Sequence, residues 1–234
     1  MFKRNVVIIF TLILVASCTK KEDNLTVSGT VKNLKKGVLY LQRIQDTSLQ
    51  VIDSVAIKGD PNFSFSTHLE SPEMLYLYLD KKDGNDINDR IAFFAQPGEI
   101  NINTQLNGFD TKHTVSGSEA HDKYEIYKEM MTRFNAKEFS LIREGLQAET
   151  DSNVSKIDSV NKAALQNIKS KYRYAVNFAM NNKDNELAPY IAITDIYDAN
   201  VTYLDTIYKS LTKEVQVSKY GKLLKKNIEK TKSE

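Results

Sequence analysis

Ser116-Gly117-Ser118-Glu119 marks the point at which this sequence changes period. A serine with an acid three residues later is the capping-box pattern that opens a helix, because both side chains can satisfy free backbone N–H groups. Downstream, Tyr124, Tyr127, Met131, Phe134, Ile142 and Leu146 recur mostly three, four and seven residues apart with charged residues between them. That is the spacing of an amphipathic helix. Upstream, from Leu25 to Gly117, the period is two.

The upstream half predicts strands at Leu25–Val31, Val38–Ile44, Leu49–Ile57, Asn62–Thr67, Met74–Leu79, Arg90–Ala95, Ile100–Thr104 and His113–Ser116. Between them fall Lys35-Lys36-Gly37, Lys58-Gly59-Asp60-Pro61, Ser71-Pro72, Asp83-Gly84-Asn85, Gln96-Pro97-Gly98 and Asn107-Gly108. Proline fixes φ and Gly or Asn tolerates positive φ, so these read as tight turns. Closely spaced short strands favour an antiparallel sandwich or open barrel over a parallel sheet, which needs helical crossovers. Phe63, Phe65, Leu75, Leu77, Leu79, Phe93, Ile100 and Ile102 are the expected inward positions.

The downstream half continues past Thr150-Asp151-Ser152-Asn153 into a second long helix with a stripe of Val154, Ile157, Leu165, Ile168, Tyr172, Ala175, Val176 and Ala179. Three shorter helices are expected at Leu187–Tyr197, Val201–Val215 and Ser218–Lys230, with Pro189 at an early helical position where its missing N–H costs little. The fold class is therefore α+β. A β-rich domain spans 25–117 and a helical region 118–234.

Residues 1–24 have another character. Lys3 and Arg4 precede the ten-residue apolar block Val6–Val15, which as a helix rises about 15 Å, half of the roughly 30 Å needed to span a bilayer. This is the pattern of a signal peptide over 1–17. Val15-Ala16-Ser17-Cys18 resembles the lipobox of bacterial lipoproteins. That resemblance implies cleavage between Ser17 and Cys18, a diacylglycerol on the Cys18 thiol and acylation of the new amine. Each buried methylene contributes about 0.8 kcal/mol, so two or three chains anchor durably. Residues 18–24 read as a polar tether. Its Lys followed by two acids resembles the export signal of Bacteroidetes-type outer-membrane lipoproteins, although solvated tethers are often charged without such a role.

Composition limits the functions available. Removing residues 1–17 leaves 30 basic and 30 acidic side chains, so the broad positive field that holds nucleic acid is missing. A single cysteine excludes a disulfide framework, Cys-x-x-Cys redox chemistry and Cys-rich zinc sites within this sequence.

Several quoted motifs carry a wider resemblance. They are Val27-Ser28-Gly29-Thr30-Val31, Val38-Leu39-Tyr40-Leu41, Asp53-Ser54-Val55, Phe63-Ser64-Phe65, Pro72 with Tyr76-Leu77, Phe93-Phe94, Pro97-Gly98-Glu99-Ile100, and Val115-Ser116-Gly117-Ser118 leading to Tyr124. Over Leu25–Tyr127 the sequence resembles the domain of unknown function found at the N-terminus of Bacteroidetes lipoproteins, usually ahead of a thioredoxin-like domain of the TlpA/ResA kind. Ser218-Lys219-Tyr220-Gly221-Lys222 resembles that family's linker-proximal helix. The sequence reaches Glu234 about where the thioredoxin-like domain would begin, and without Cys-x-x-Cys the redox activity is not carried over. A stand-alone module is expected.

Candidate sites are sparse. Asp83, Asp86 and Asp89 lie in an acid-rich stretch that could wrap a hard cation, but the EF-hand spacing is absent and a solvated hairpin loop fits better. His68, His113 and His121 show no metal-ligand spacing and read as surface or edge histidines. Glu70, Glu73 and Glu99 form no recognisable carboxylate pair. Lys219, Lys222, Lys225, Lys226, Lys230 and Lys232 read as a solvated helix face, and Tyr76 and Tyr78 as half-buried packing. Asp53-Ser54-Val55, Asp158-Ser159-Val160 and Asp205-Thr206-Ile207 resemble Bacteroidetes-type O-glycosylation acceptors.

The expected function is a lipid-anchored cell-envelope module, on the outer membrane through Cys18, that binds or scaffolds a protein partner without catalysis, metal or cofactor. The alternatives are an accessory to a separate thioredoxin-like oxidoreductase, or an envelope solute-binding protein or enzyme whose site assembles only in space.

Overall fold

The computed structural model describes residues 21–46, 48–81 and 89–233. The signal peptide, Ser17, Cys18, Asp83 and Asp86 lie outside them. The described strands are β1 (Leu25–Lys32), β2 (Lys36–Gln45), β3 (Ser48–Lys58), β4 (Asn62–Thr67), β5 (Glu73–Asp80), β6 (Arg90–Ala95), β7 (Gly98–Gln105) and β8 (Thr114–Ser116). They form two four-stranded sheets, in the orders β4-β1-β7-β8 and β3-β2-β5-β6. Every expected strand is present, within two residues of its expected ends.

Pairing is antiparallel except between β1 and β7, which run parallel with Leu25 opposite Gly98. The chain between that parallel pair supplies all four strands of the second sheet, and β4 of the first, so no helix is needed. The two sheets close on a core to which all eight expected inward side chains contribute. Each such Leu or Phe contributes about 1.5–3 kcal/mol through burial.

The β3-β2-β5-β6 sheet is buried on both faces along part of its length. Leu75, Leu77 and Phe93 face the sandwich, whereas Met74, Tyr76, Ala92 and Phe94 face a second core built by the helices. The result is three layers: sheet, sheet, helices. The helices are α1 (Glu119–Thr150), α2 (Val154–Asn181), α3 (Leu187–Thr194), α4 (Val201–Ser210), α5 (Lys213–Val217) and α6 (Lys219–Ser233).

Three differences from expectation have physical causes. The cap of α1 is Ser118, whose Oγ accepts from His121 N, and Ser116 ends β8. Gly117 makes this shift possible: at φ +93° it passes Glu99 O so closely that a Cβ would sit 2.0 Å away. The single helix expected over Val201–Val215 breaks at Leu211, because Thr212 caps a new turn through Val215 N. Residues 21–24, expected as a solvated tether, are exposed but also bonded to the sandwich. Asn24 bonds Leu69 through both side-chain atoms and reaches Thr67 and Gly98 through its backbone, prolonging β1.

The long helices pair as a hairpin. At about 1.5 Å per residue, the 32 residues of α1 span roughly 48 Å. Its first turns carry Tyr127 and Met131 into the helical core, while farther along the hairpin Leu141 and Ala148 of α1 and Val160 of α2 are the buried positions. Phe139, Ile142 and Leu146 on α1, and Leu165 and Ile168 on α2, are 44–69% exposed. Ile142 and Leu146, and likewise Val154, Leu165 and Ile168, were expected to be apolar stripe. They are, but the stripe outruns the body that could cover it.

Candidate functional site

The helices are seated on the sheet by a small set of polar contacts. Phe94 and Met74 face one another across β5 and β6. β6 is an edge strand, and both backbone groups of Phe94 are bonded outward to the start of α1. Ser118 Oγ donates to Phe94 O (2.7 Å), and Phe94 N donates to His121 Nδ1 (3.3 Å). On the other side, β2 stops pairing with β5 at Leu75, and Met74 N donates to Tyr220 Oη of α6 (2.9 Å). Each of these backbone groups, buried and unpaired, would cost about 1–3 kcal/mol.

Around this seam the rings of Phe94, Tyr124, Tyr190 and Tyr220 meet at centroid distances of 5.0–6.5 Å, several edge to face, the geometry favoured by their quadrupoles. Burial pushes the Tyr124 hydroxyl up to about 12 and raises those of Tyr190 and Tyr220 further. They are neutral donors and acceptors at any physiological pH. Tyr127 Oη is buried without a hydrogen-bond partner among the described residues.

At the end of the sandwich beside this seam, Glu73 is buried with Arg43 3.4 Å away and Lys219 in direct contact. Lys219 Nζ also donates to Ile44 O (2.8 Å). Lys219, expected on a solvated face, is thus a tie between α6 and the sheet. Gly221 permits the close fit, since a Cβ there would lie 2.0 Å from Val215 O. Sequence reasoning missed this cluster because its members are 146 residues apart. The quoted Ser218–Lys222 motif was the only signal of it.

A cleft of about 720 Å³ opens here, with a floor of Met74, Tyr76, Tyr190 and Ile193, flanked by Ile44, Val217 and Leu223 and rimmed by Lys222 and Lys226. That is within the size range of ligand sites. Three of its polar side chains are nevertheless engaged within the protein: Tyr220 with Met74 N, Lys219 with Glu73, and Ser218 Oγ with Val215 O (2.7 Å). The surface is suited to covering an apolar face more than to gripping a polar solute.

The other expected site residues are scattered. Asp89 is buried in direct contact with Lys81. Among the described residues no three His, Cys, Asp or Glu side chains are grouped to hold a metal ion. His68 and His113 bond backbone carbonyls of Glu22 and Asp110 through Nδ1, and His121 is buried in the seam. Glu70 pairs with Lys21 (2.7 Å), and Glu99 is exposed. Lys225 and Lys232 pair with Glu229 and Asp205. Tyr76 is half-buried against the helical core and Tyr78 stacks on Tyr40 at 5.9 Å with Arg90 above it. Of the three glycosylation-like triplets, Asp53–Val55 lies in β3, Asp158–Val160 in α2 and Asp205–Ile207 in α4. No helix among the described residues is long and apolar enough to cross a membrane.

Residues 25–124 match the family model of a domain of unknown function, DUF4369. The match takes in the sandwich and the start of α1, including the Ser118 and His121 contacts. No curated protein and no solved structure matches the chain.

Proposed function

We propose that this protein is a lipid-anchored cell-envelope module, held on the outer membrane through Cys18, which docks an envelope protein without itself performing catalysis. The observation that carries the reading is the α1–α2 hairpin, where Phe139, Ile142, Leu146, Leu165 and Ile168 stand 44–69% exposed. Phe139, Ile142 and Leu146 follow the three-and-four spacing of one helix face, and Ile142, Leu146 and Ile168 line one shallow groove. Large apolar side chains grouped along a projecting element are the mark of a protein-binding surface more than of an active site. The lipobox supplies the anchor, and the resemblance to modules that precede thioredoxin-like domains makes a separately encoded oxidoreductase of that kind one candidate partner.

Crosslinking and mass spectrometry on native membranes tests this. The expected result is a reproducible protein partner crosslinked to the hairpin, lost in Phe139→Ser/Leu146→Ser and in a Cys18→Ala strain. Turnover of a substrate, or stoichiometric binding of a small solute by the purified mature chain, contradicts it.

A further inference from the structure

We infer that the end of the sandwich at which the chain arrives from Cys18 lies against the lipid bilayer and makes apolar contact with its headgroup region. The inference rests on the lipid anchor proposed above. The first described residues are fastened at that end: Lys21 Nζ to Glu70 (2.7 Å), Glu22 O to His68 (2.8 Å), and Asn24 to Leu69 by two bonds. Lys21 is three residue steps from Cys18, and an extended chain covers at most about 3.6 Å per residue. An acylated Cys18 therefore holds Lys21 within about 11 Å of the bilayer interface. A body on a long free tether could tumble. This one presents a fixed face.

That face has the side chains for the role. Val51 lines a hollow with Lys21, and Ile44 and Leu49 stand opposite each other across the adjoining hairpin. Val217 and Leu223 line the larger cleft with Glu70, the residue that pairs with Lys21. These five apolar side chains are 41–65% exposed. The charges around them nearly balance. Glu73 takes Arg43 and Lys219, Glu70 takes Lys21, Lys222 and Lys226 share a cleft with Asp46, and Asp23 lines the adjoining hollow, five cations among four acids. Attraction to anionic lipid is therefore a minor part of the contact. Burial of apolar side chains at the headgroup boundary is the major part, and it does not depend on lipid charge.

The test uses the acylated full-length protein reconstituted in phosphatidylcholine vesicles. Cys18 is the sole native cysteine and is blocked by its lipid, so fluorophores are placed singly at Val51→Cys, Leu223→Cys and Lys58→Cys. Lys58 ends β3 at the far end of the sandwich, about 33 Å along that strand from Ser48. Spin-labelled lipid should quench the labels at 51 and 223 several-fold more than the label at 58, to the same extent with or without added phosphatidylglycerol. Equal quenching at all three positions, on protein that floats with the vesicles, overturns the orientation while leaving the anchor intact. Quenching that requires phosphatidylglycerol overturns the apolar basis of the contact. Protein that fails to float overturns the anchor, and this inference with it.

Discussion

His121 should make the seating of the helices sensitive to mild acid. Its Nδ1 accepts the Phe94 N–H, so in the neutral ring the proton sits on Nε2. Protonation would place a second donor on Nδ1, facing the Phe94 donor. Burial holds the imidazole below its ordinary value of 6.5, opposed by Glu125 and Asp122 and reinforced by Lys128 and His113. A folded-state pKa below the unfolded one means that the unfolded chain takes up the proton first as pH falls. The contribution is therefore fully present above about pH 6.5 and declines below it, by at most about 1.4 kcal/mol per pH unit until the folded pKa is reached. Glu186, whose carboxyl is raised by burial, acts in the opposite sense above 4.5. A comparison of variants cancels that effect. His121→Ala orphans the buried Phe94 N–H and should cost about 1–3 kcal/mol. Taking 2–4 °C per kcal/mol, this is a fall of about 2–12 °C in Tm at neutral pH. His121→Asn retains an acceptor near the Nδ1 position and should recover most of that loss while removing the histidine part of the pH dependence. Urea titrations of the three proteins between pH 5 and 8 measure both effects. If Asn is as damaging as Ala, and the wild type falls no more steeply than the variants below pH 6.5, the role assigned to this ring is wrong.

Lys219→Met should destabilise by about 1–3 kcal/mol, less than for a fully buried pair because Lys219 is a third exposed. Adding Glu73→Gln should restore part of it, since Lys219→Met leaves the buried carboxylate with Arg43 alone, and chemical denaturation reads both. Gly221→Ala should also destabilise, by about 1–3 kcal/mol from overpacking against Val215 O despite alanine's better helix propensity, and a thermal melt followed by circular dichroism checks this. Phe139→Ser/Leu146→Ser should leave unfolding within about 0.5 kcal/mol per site of the wild type, as these side chains are largely exposed. A large loss of stability there would mean that the stripe is core and not a docking surface.

The strands were legible because period-two patterning and Pro/Gly turns are local signals, and the sandwich core follows from them. The parallel β1–β7 pair was not legible, since pairing between residues 73 apart leaves no local trace. The apolar stripes of α1 and α2 were readable as stripes. Whether Tyr127 is covered and Leu146 bare depends on how far the body extends beneath the hairpin, which spacing cannot report. The seam was hidden for a similar reason. His121, Tyr220, Lys219 and Glu73 look like ordinary surface residues in one dimension, and acquire their roles only where an edge strand exposes a backbone group or where a buried carboxylate requires a cation.

The proposed function requires a lipid on Cys18 that holds this body on a membrane. Intact-mass analysis of the protein extracted from native membranes tests it most directly. The expected mass is that of a mature chain beginning at Cys18 and heavier by a diacylglycerol with or without an additional acyl group. A chain that retains residues 1–17 or carries an unmodified Cys18 contradicts it.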